Sequence, residues 1–242
     1  TKRVPAISVK RRFDTLLNGL EVSLDESELD RVLALPGVKR IYPVKMRYAH
    51  LDSSHQVIKS IEAWSQLGGQ HEAGKGIKIA IIDSGIQPGN PMFDDAGFEA
   101  PNLSGNSWLS QNPDYCRMEG GDPDFCNNKV IIARVFKPED DNFAFDSVSD
   151  VSPLDTNRHG THVAGIAAGN PIEVTFEGVD VNLSGVAPGA YLMVYKALFD
   201  NGGIVTGSDA MLLAALEHAV KDGADVINNS WGSIQDESPE ES

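Results

Sequence analysis

Asp83 closes the apolar run "GIKIAIID", and His159 opens the run "HGTHVAGIAAG". These two residue types do acid–base chemistry as a pair. A carboxylate on one ring nitrogen fixes the tautomer of a neutral imidazole and leaves the other nitrogen to take a proton. Asp83 also has a simpler use, because an Asp in Asp83-Ser84-Gly85 can cap its own turn through its side chain. Two-carboxylate hydrolases use Asp-Ser-Gly as well, but they need a second such triplet, and the chain has none. His162, three residues after His159, is expected to pack inward as a core histidine. A metal held by both imidazoles lacks a third ligand, so no metal is assigned.

The pair needs a scaffold that brings a strand end to a helix start. "GIKIAIID" (Gly76 to Asp83), "KVIIARVF" (Lys129 to Phe136) and "AYLMVYKAL" (Ala190 to Leu198) are nearly continuous apolar runs. Such runs mark strands buried on both faces of a parallel sheet. Between them, "HGTHVAGIAAG" reads as a small-residue helix closed by Gly169. "SDAMLLAALEHAVKDG" reads as a helix with Leu212, Leu216, Ala219 and Val220 on one face and Gly223 as its stop. "ADVINNS" supplies a further strand. This alternation predicts an α/β fold, a parallel sheet flanked by helices, whose chemistry gathers beyond the carboxyl ends of the strands. Asp83 sits at such an end.

The first fifty residues follow a different pattern. "GLEVSL" alternates like a half-buried strand. "DESELDRVLALPG" carries Leu29, Val32, Leu33 and Leu35 at helical spacing before Pro36 and Gly37, and "VKRIYPV" reads as a second short strand. This predicts a small α+β unit, too small to be very stable alone. The polar stretch Tyr48 to Gln56 reads as a linker, which places a boundary near residue 50 and divides the chain into 1–50 and 51–242. Charge divides at the same place. Residues 1–50 hold 10 basic and 6 acidic side chains, and the remainder holds 10 and 29. A net charge of −15 argues against nucleic acid as a partner. Two readings of the split stay open, an ordinary solvated surface or a basic front piece docking on an acidic body.

No run approaches the roughly 20 apolar residues that a membrane span needs. Cys116 and Cys126 flank a loop containing Gly120 and Gly121. A disulfide is favoured over free thiols there, and it implies an oxidising compartment. Two sulfurs alone do not complete a zinc site.

Taken in chain order, "IAIIDSGI", "RHGTHVAGIAAG", "GVAPGAYLMVYKAL" and "DVINNSWG" resemble the subtilisin-like serine proteases, over about residues 76–232. The resemblance implies that Asp83 and His159 are two members of an Asp-His-Ser triad, and the chain order Asp, His, Ser belongs to the family. It implies an extracellular endopeptidase made as a zymogen, with protein or peptide substrates. Residues 1–50, notably "FDTLLNGLEVSL" and "LPGVKRIYPV", resemble the family's inhibitory propeptide, with its usual first strand lacking before Thr1. That piece blocks the cleft with its own C-terminal end, and a cut near His50 would be autoprocessing. "NSWG" matches the region whose backbone pairs with substrate, which assigns Ser230, Trp231 and Gly232 to substrate binding. Trp231 stands where Leu is usual, and two uses stay open for it, narrowing a pocket or packing in the core. The long stretch between Asp83 and His159, with its cysteine loop, is expected to be an insertion that shapes the cleft. No cofactor is implied. Structural calcium occurs in the family, and Asp180 and Asn182 offer suitable oxygens, without an assignment.

The family's nucleophile lies in a Gly-Thr-Ser-Met-Ala-X-Pro motif, and these 242 residues contain none. Ser84, Ser208, Ser230 and Ser233 lack its context. The expectation is therefore a fragment of a peptidase, inactive as given. The rival is a non-catalytic relative that binds without cleaving. An active-site fluorophosphonate probe should leave the chain unlabelled by mass spectrometry. Covalent labelling at any of its serines would contradict this expectation.

Overall fold

The computed structural model describes residues 7–44, 46–49, 59–137, 152–176, 179–201 and 204–232. The boundary near residue 50, most of the Tyr48–Gln56 linker, His50, Ser233 and the acidic tail lie outside the described residues. The elements in chain order are β1 (Ser8–Phe13), β2 (Gly19–Ser23), α1 (Leu29–Leu33), β3 (Met46–Ala49), α2 (Ser60–Leu67), β4 (Lys78–Asp83), α3 (Ser107–Gln111) and β5 (Val130–Val135). They continue with α4 (His159–Ala168), β6 (Ile172–Phe176), β7 (Val179–Leu183), β8 (Tyr191–Lys196), β9 (Phe199–Asn201), β10 (Ile204–Ser208), α5 (Asp209–Asp222), β11 (Val226–Asn229) and β12 (Trp231–Gly232).

The centre is a four-stranded sheet in the order β11-β4-β8-β5, with every neighbouring pair parallel. Helices cover both faces, as the apolar runs predict. Strand alternation decides which residue meets which helix. In β4, Ala80 and Ile82 face α5, where Met211, Leu212, Ala215 and Ala219 are buried. Ile79 and Ile81 face α4, against Val163, Ala164 and Ala168. The same parity carries Asp83 onto the α4 side.

Helix α4 lies very close to β4 because its first turn has no bulk. A Cβ on Gly160 would stand 2.3 Å from the Gly85 carbonyl oxygen. Gly85 itself has φ of 109°, a region that L side chains rarely adopt. Two expectations for the helices need correction. His162 is exposed, because the buried arc of α4 runs through Gly160, Val163, Ala164 and Ala168 and turns residue 162 the other way. Val220 is 41% exposed, at the edge of the α5 stripe that Leu212 and Ala219 bury.

The front piece is smaller in regular structure than expected. β1 and β2 form an antiparallel hairpin, and of the apolar residues in α1 only Val32 is buried. The run "VKRIYPV" is not a strand. The strand lies just beyond it, at β3, because that is where partners exist: β3 runs antiparallel between β10 and β12. The front piece rests on α5. Phe13 is buried, Arg11 Nη1 donates to the Ala210 carbonyl at 2.9 Å, and Glu217 Oε1 accepts from the backbone N–H groups of Asp14, Thr15 and Leu16. Charge complementarity is local and mixed in sense, since Asp14 of the front piece pairs with Lys221 of the body at 3.0 Å.

Cys116 and Cys126 form a disulfide. The loop they close meets β5 through Arg117, whose Nη2 donates to the Ile131 carbonyl at 3.1 Å, and just before it Tyr115 N donates to the Ala133 carbonyl and Asp114 Oδ2 accepts from Ala133 N. These contacts brace an edge strand of the sheet. No helix among the described residues is long and apolar enough to cross a membrane.

In the C-terminal half of α5, His218 packs edge-on against Trp108 and Phe136, with ring centroids 5.4 and 5.0 Å away. Burial, reinforced by Arg134, draws its imidazole down to about 4. The unfolded chain, with an ordinary histidine near 6.5, therefore binds more protons than the folded one between those values. Stability must fall as pH drops from 6.5 towards 4. Urea midpoints across that window should decline less steeply for His218→Phe than for the wild type. The close approach of α4 predicts a second outcome. Gly160→Ala should cost about 3 kcal/mol, as overpacking against backbone does, measured by denaturant unfolding, whereas Ala167→Gly should cost about 1 kcal/mol.

Candidate active site

Strand parity and the small-residue helix bring the two expected residues together. Asp83 and His159 are both buried, at 1% and 8% exposure, and His159 Nδ1 lies 2.7 Å from Asp83 Oδ1. A carboxylate only accepts hydrogen bonds, so Nδ1 carries the proton and Nε2 is the acceptor nitrogen of the neutral ring. Asp83 Oδ1 also accepts from Ser84 N at 2.7 Å. Oδ2 is buried and has no hydrogen-bond partner among the described residues. Asp83 does not cap its turn in place of meeting the histidine: one oxygen does both.

The chain around the pair is closely tied. Ser84 Oγ accepts from Gly160 N at 2.9 Å and donates to Asp155 Oδ1 at 2.9 Å. Ile86 and Leu154 form a parallel bridge. At the end of β8, Ala197 N donates to the Asp83 carbonyl at 2.9 Å, and the buried Lys196 ammonium donates to the Leu154 carbonyl at 2.6 Å. The carboxyl ends of two neighbouring strands and the start of α4 thus converge on one point. Asp155 and Lys196 escaped the sequence reading. The signal for Asp155 was its place four residues before His159, and it carries no chemistry until its partners are known.

Beside the pair lies a strand-shaped site. β11 leads directly into β12, and β10 leads directly into α5. Between β10 and β12 runs β3, with Tyr48 opposite both Thr206 and Gly232, and Ala49 opposite Trp231. Trp231 and Gly232 therefore meet an extended peptide through their backbone. The Trp231 indole donates to the Ile82 carbonyl at 3.1 Å and packs on the α5-side core. Of its two open uses, core packing is the one its ring displays. Ser230 Oγ donates to Asn228 Oδ1 at 2.8 Å.

No residue set among those described makes a convincing metal cage. Asp114, Cys116 and Cys126 converge, but the two sulfurs are bonded to each other. Asp180 and Asn182 lie on β7. Both are exposed on a regular hairpin strand, Asp180 Oδ1 accepts from Thr175 Oγ1 at 2.7 Å, and no three ligand atoms of His, Cys, Asp or Glu gather around Asp180 among the described residues.

Comparison with known proteins accords with this geometry. The chain is 34% identical over 230 residues to subtilisin-like protease SBT2.1 of Arabidopsis thaliana, covering 90% of this chain and 26% of that protein. It is 34% identical over 246 residues to SBT1.9 of the same plant, covering 96% and 30%. With SBT2.3 it shares 37% identity over 179 residues, covering 69% and 20%. The chain thus spans between a fifth and a third of these relatives' length. Residues 74–242 match the family described as the Subtilase family. With its four-stranded parallel sheet, flanking helices and paired Asp83 and His159, the chain belongs to the subtilase family of serine proteases.

Proposed function

We propose that residues 51–242 are the N-terminal part of a subtilisin-like serine endopeptidase domain, and residues 1–50 part of an inhibitory propeptide. The observation that carries the catalytic reading is the buried 2.7 Å contact between Asp83 and His159. In this reading a serine supplied by the rest of the peptidase domain attacks a peptide carbonyl carbon. His159 Nε2 takes the hydroxyl proton as the new C–O bond forms, then delivers it to the leaving amine nitrogen as the C–N bond breaks. Asp83 keeps Nδ1 protonated throughout and stabilises the imidazolium that forms between the two transfers. The carboxylate itself stays ionised.

Substrate in this account is an extended segment of protein or peptide lying where β3 lies. Ser230, Trp231 and Gly232 form one wall and β10 the other, so affinity comes chiefly from main-chain hydrogen bonds. The propeptide reading rests on β3 itself. The front piece sends its last described strand, Met46–Ala49, into that site, which is the occupancy an intramolecular inhibitor needs. The Cys116–Cys126 disulfide supports maturation in an oxidising compartment and hence secretion. The alternative, a non-catalytic binding module, would use the same strand site without the proton chemistry.

Expression of the chain together with the coding sequence that follows Ser242 separates the two. Hydrolysis of a peptide library should appear once the front piece is removed. Asp83→Asn should lower kcat by about 10⁴-fold, as loss of the orienting carboxylate does in such triads, and His159→Ala should do at least as much. Peptide binding without turnover in the wild type would favour the module.

A further inference from the structure

Helix α4 cannot cap itself. Its N-cap residue is Arg158, which makes no side-chain capping bond and has φ of 81°. An arginine side chain offers no acceptor, and the left-handed backbone region is uncommon for any residue but glycine. The first N–H groups of a helix need acceptors from somewhere, and His159 is the first residue of this helix. The angle at which the imidazole leaves the backbone depends on what holds those groups.

We propose that Asp155 is a positioning residue for the Asp83–His159 pair, a buried carboxylate that sets the turn before α4 so that the imidazole reaches Asp83. The proposal rests on the catalytic reading given above and adds a residue to it. Asp155 is 0% exposed, and both of its oxygens are engaged. Oδ1 accepts from Ser84 Oγ at 2.9 Å, Asn157 N at 3.0 Å and Arg158 N at 2.8 Å. Oδ2 accepts from Thr161 N at 2.8 Å and from the Thr161 hydroxyl. The bond to Arg158 N holds the left-handed residue in place, and the bond to Thr161 N supplies the cap that Arg158 lacks.

The same residue is stitched to the strand that carries the other half of the pair. Asp155 N donates to the Ile86 carbonyl at 3.0 Å, and its own carbonyl accepts from Gln87 Nε2 at 2.6 Å. Gln87 N in turn donates to Thr161 Oγ1. Ser84 completes the link, since its hydroxyl bridges Asp155 and Gly160 N while its N–H donates to Asp83 Oδ1. Asp155 and Ser84 thus tie the turn after Asp83 to the first turn of α4, beside the backbone packing of Gly160 on Gly85. A buried carboxylate accepting several N–H bonds has few alternative placements, which is what a spacing element requires.

The test uses this chain with its histidine rings labelled with ¹⁵N, His159 being assigned by substitution. The wild type should show a His159 Nδ1 proton far downfield and protected from exchange, and Asp83→Asn should remove it. In Asp155→Asn, circular dichroism should report a folded protein. The Nδ1 proton should lose its protection, and the proton affinity of His159 should fall by about tenfold. Thr161→Val, which removes only the hydroxyl, should move both signals in the same direction by less. If Asp83→Asn changes neither signal, the catalytic reading of the pair fails. If Asp83→Asn changes both while Asp155→Asn and Thr161→Val leave them as in the wild type, Asp155 serves stability only and the proposal is wrong. Should Asp155→Asn not fold, Thr161→Val decides by the same two signals.

Discussion

A carboxylate removed from water at the end of a buried strand must find donors or lose its charge. Asp83 meets that requirement with two donors on one oxygen, a backbone N–H and the Nδ1 proton of His159. The second donor comes from a helix 76 residues further along the chain, so the local demand of one side chain becomes a constraint on the global fold. It requires α4 to begin against the end of β4. That in turn requires glycine at 160, where any Cβ would strike the Gly85 carbonyl, and small residues along the buried arc of the helix. The absence of bulk around His159 is thus the consequence of a short distance. A larger first turn would hold the ring too far from Asp83 to share its proton.

The strand site obeys a different rule. β10 and β12 each have an edge whose N–H and C=O groups need partners, and in this chain β3 supplies them. Pairing of this kind is indifferent to side chains. That suits a site proposed to bind an extended peptide through its main chain, and a segment of the same chain occupies it. The two halves of the site therefore differ in kind: the Asp83–His159 pair depends on two particular side chains held at 2.7 Å, whereas the strand site beside it depends on two backbone edges that β3 pairs.

This difference accounts for what was legible from residues alone. The buried strands β4, β5 and β8 and the helices α4 and α5 announce themselves by their apolar runs and period, because a sheet covered on both faces leaves few polar positions, Arg134 and Lys196 among them. Asp83 and His159 stand out because each ends or begins such an element. β1 was missed because "SVKRRF" carries three basic residues in six, and its pairing with β2 rather than its composition makes it a strand. "VKRIYPV" has better strand composition than Met46–Ala49, yet the strand forms where β10 and β12 offer edges. His162 and Val220 were misjudged for a related reason. Periodicity says which residues share a face, and the width of that face is set by the packed neighbour. Glu217 was invisible because it acts through backbone N–H groups far away in sequence, and Asp155 because the partner that links it to Asp83, the Ser84 hydroxyl, lies 71 residues earlier.

Helix α5 joins these parts mechanically. It begins at the residue after β10 ends and stops with three residues between it and β11, which runs on into β12, so both walls of the strand site hang from one rigid rod. Its last turn is locked into the sheet by Asp222, which accepts from Arg134 Nε and Nη2 at 2.6 and 2.7 Å and from the Tyr195 hydroxyl at 2.9 Å. A buried ion pair of this sort contributes definition of geometry more surely than net stability. The front piece grips the same rod at Ala210, Glu217 and Lys221 while its β3 fills the gap between the walls. Docking of the front piece and the spacing of the cleft are therefore one structural fact. A segment that holds α5 where β10 and β12 stand one strand apart also shapes the site that it occupies.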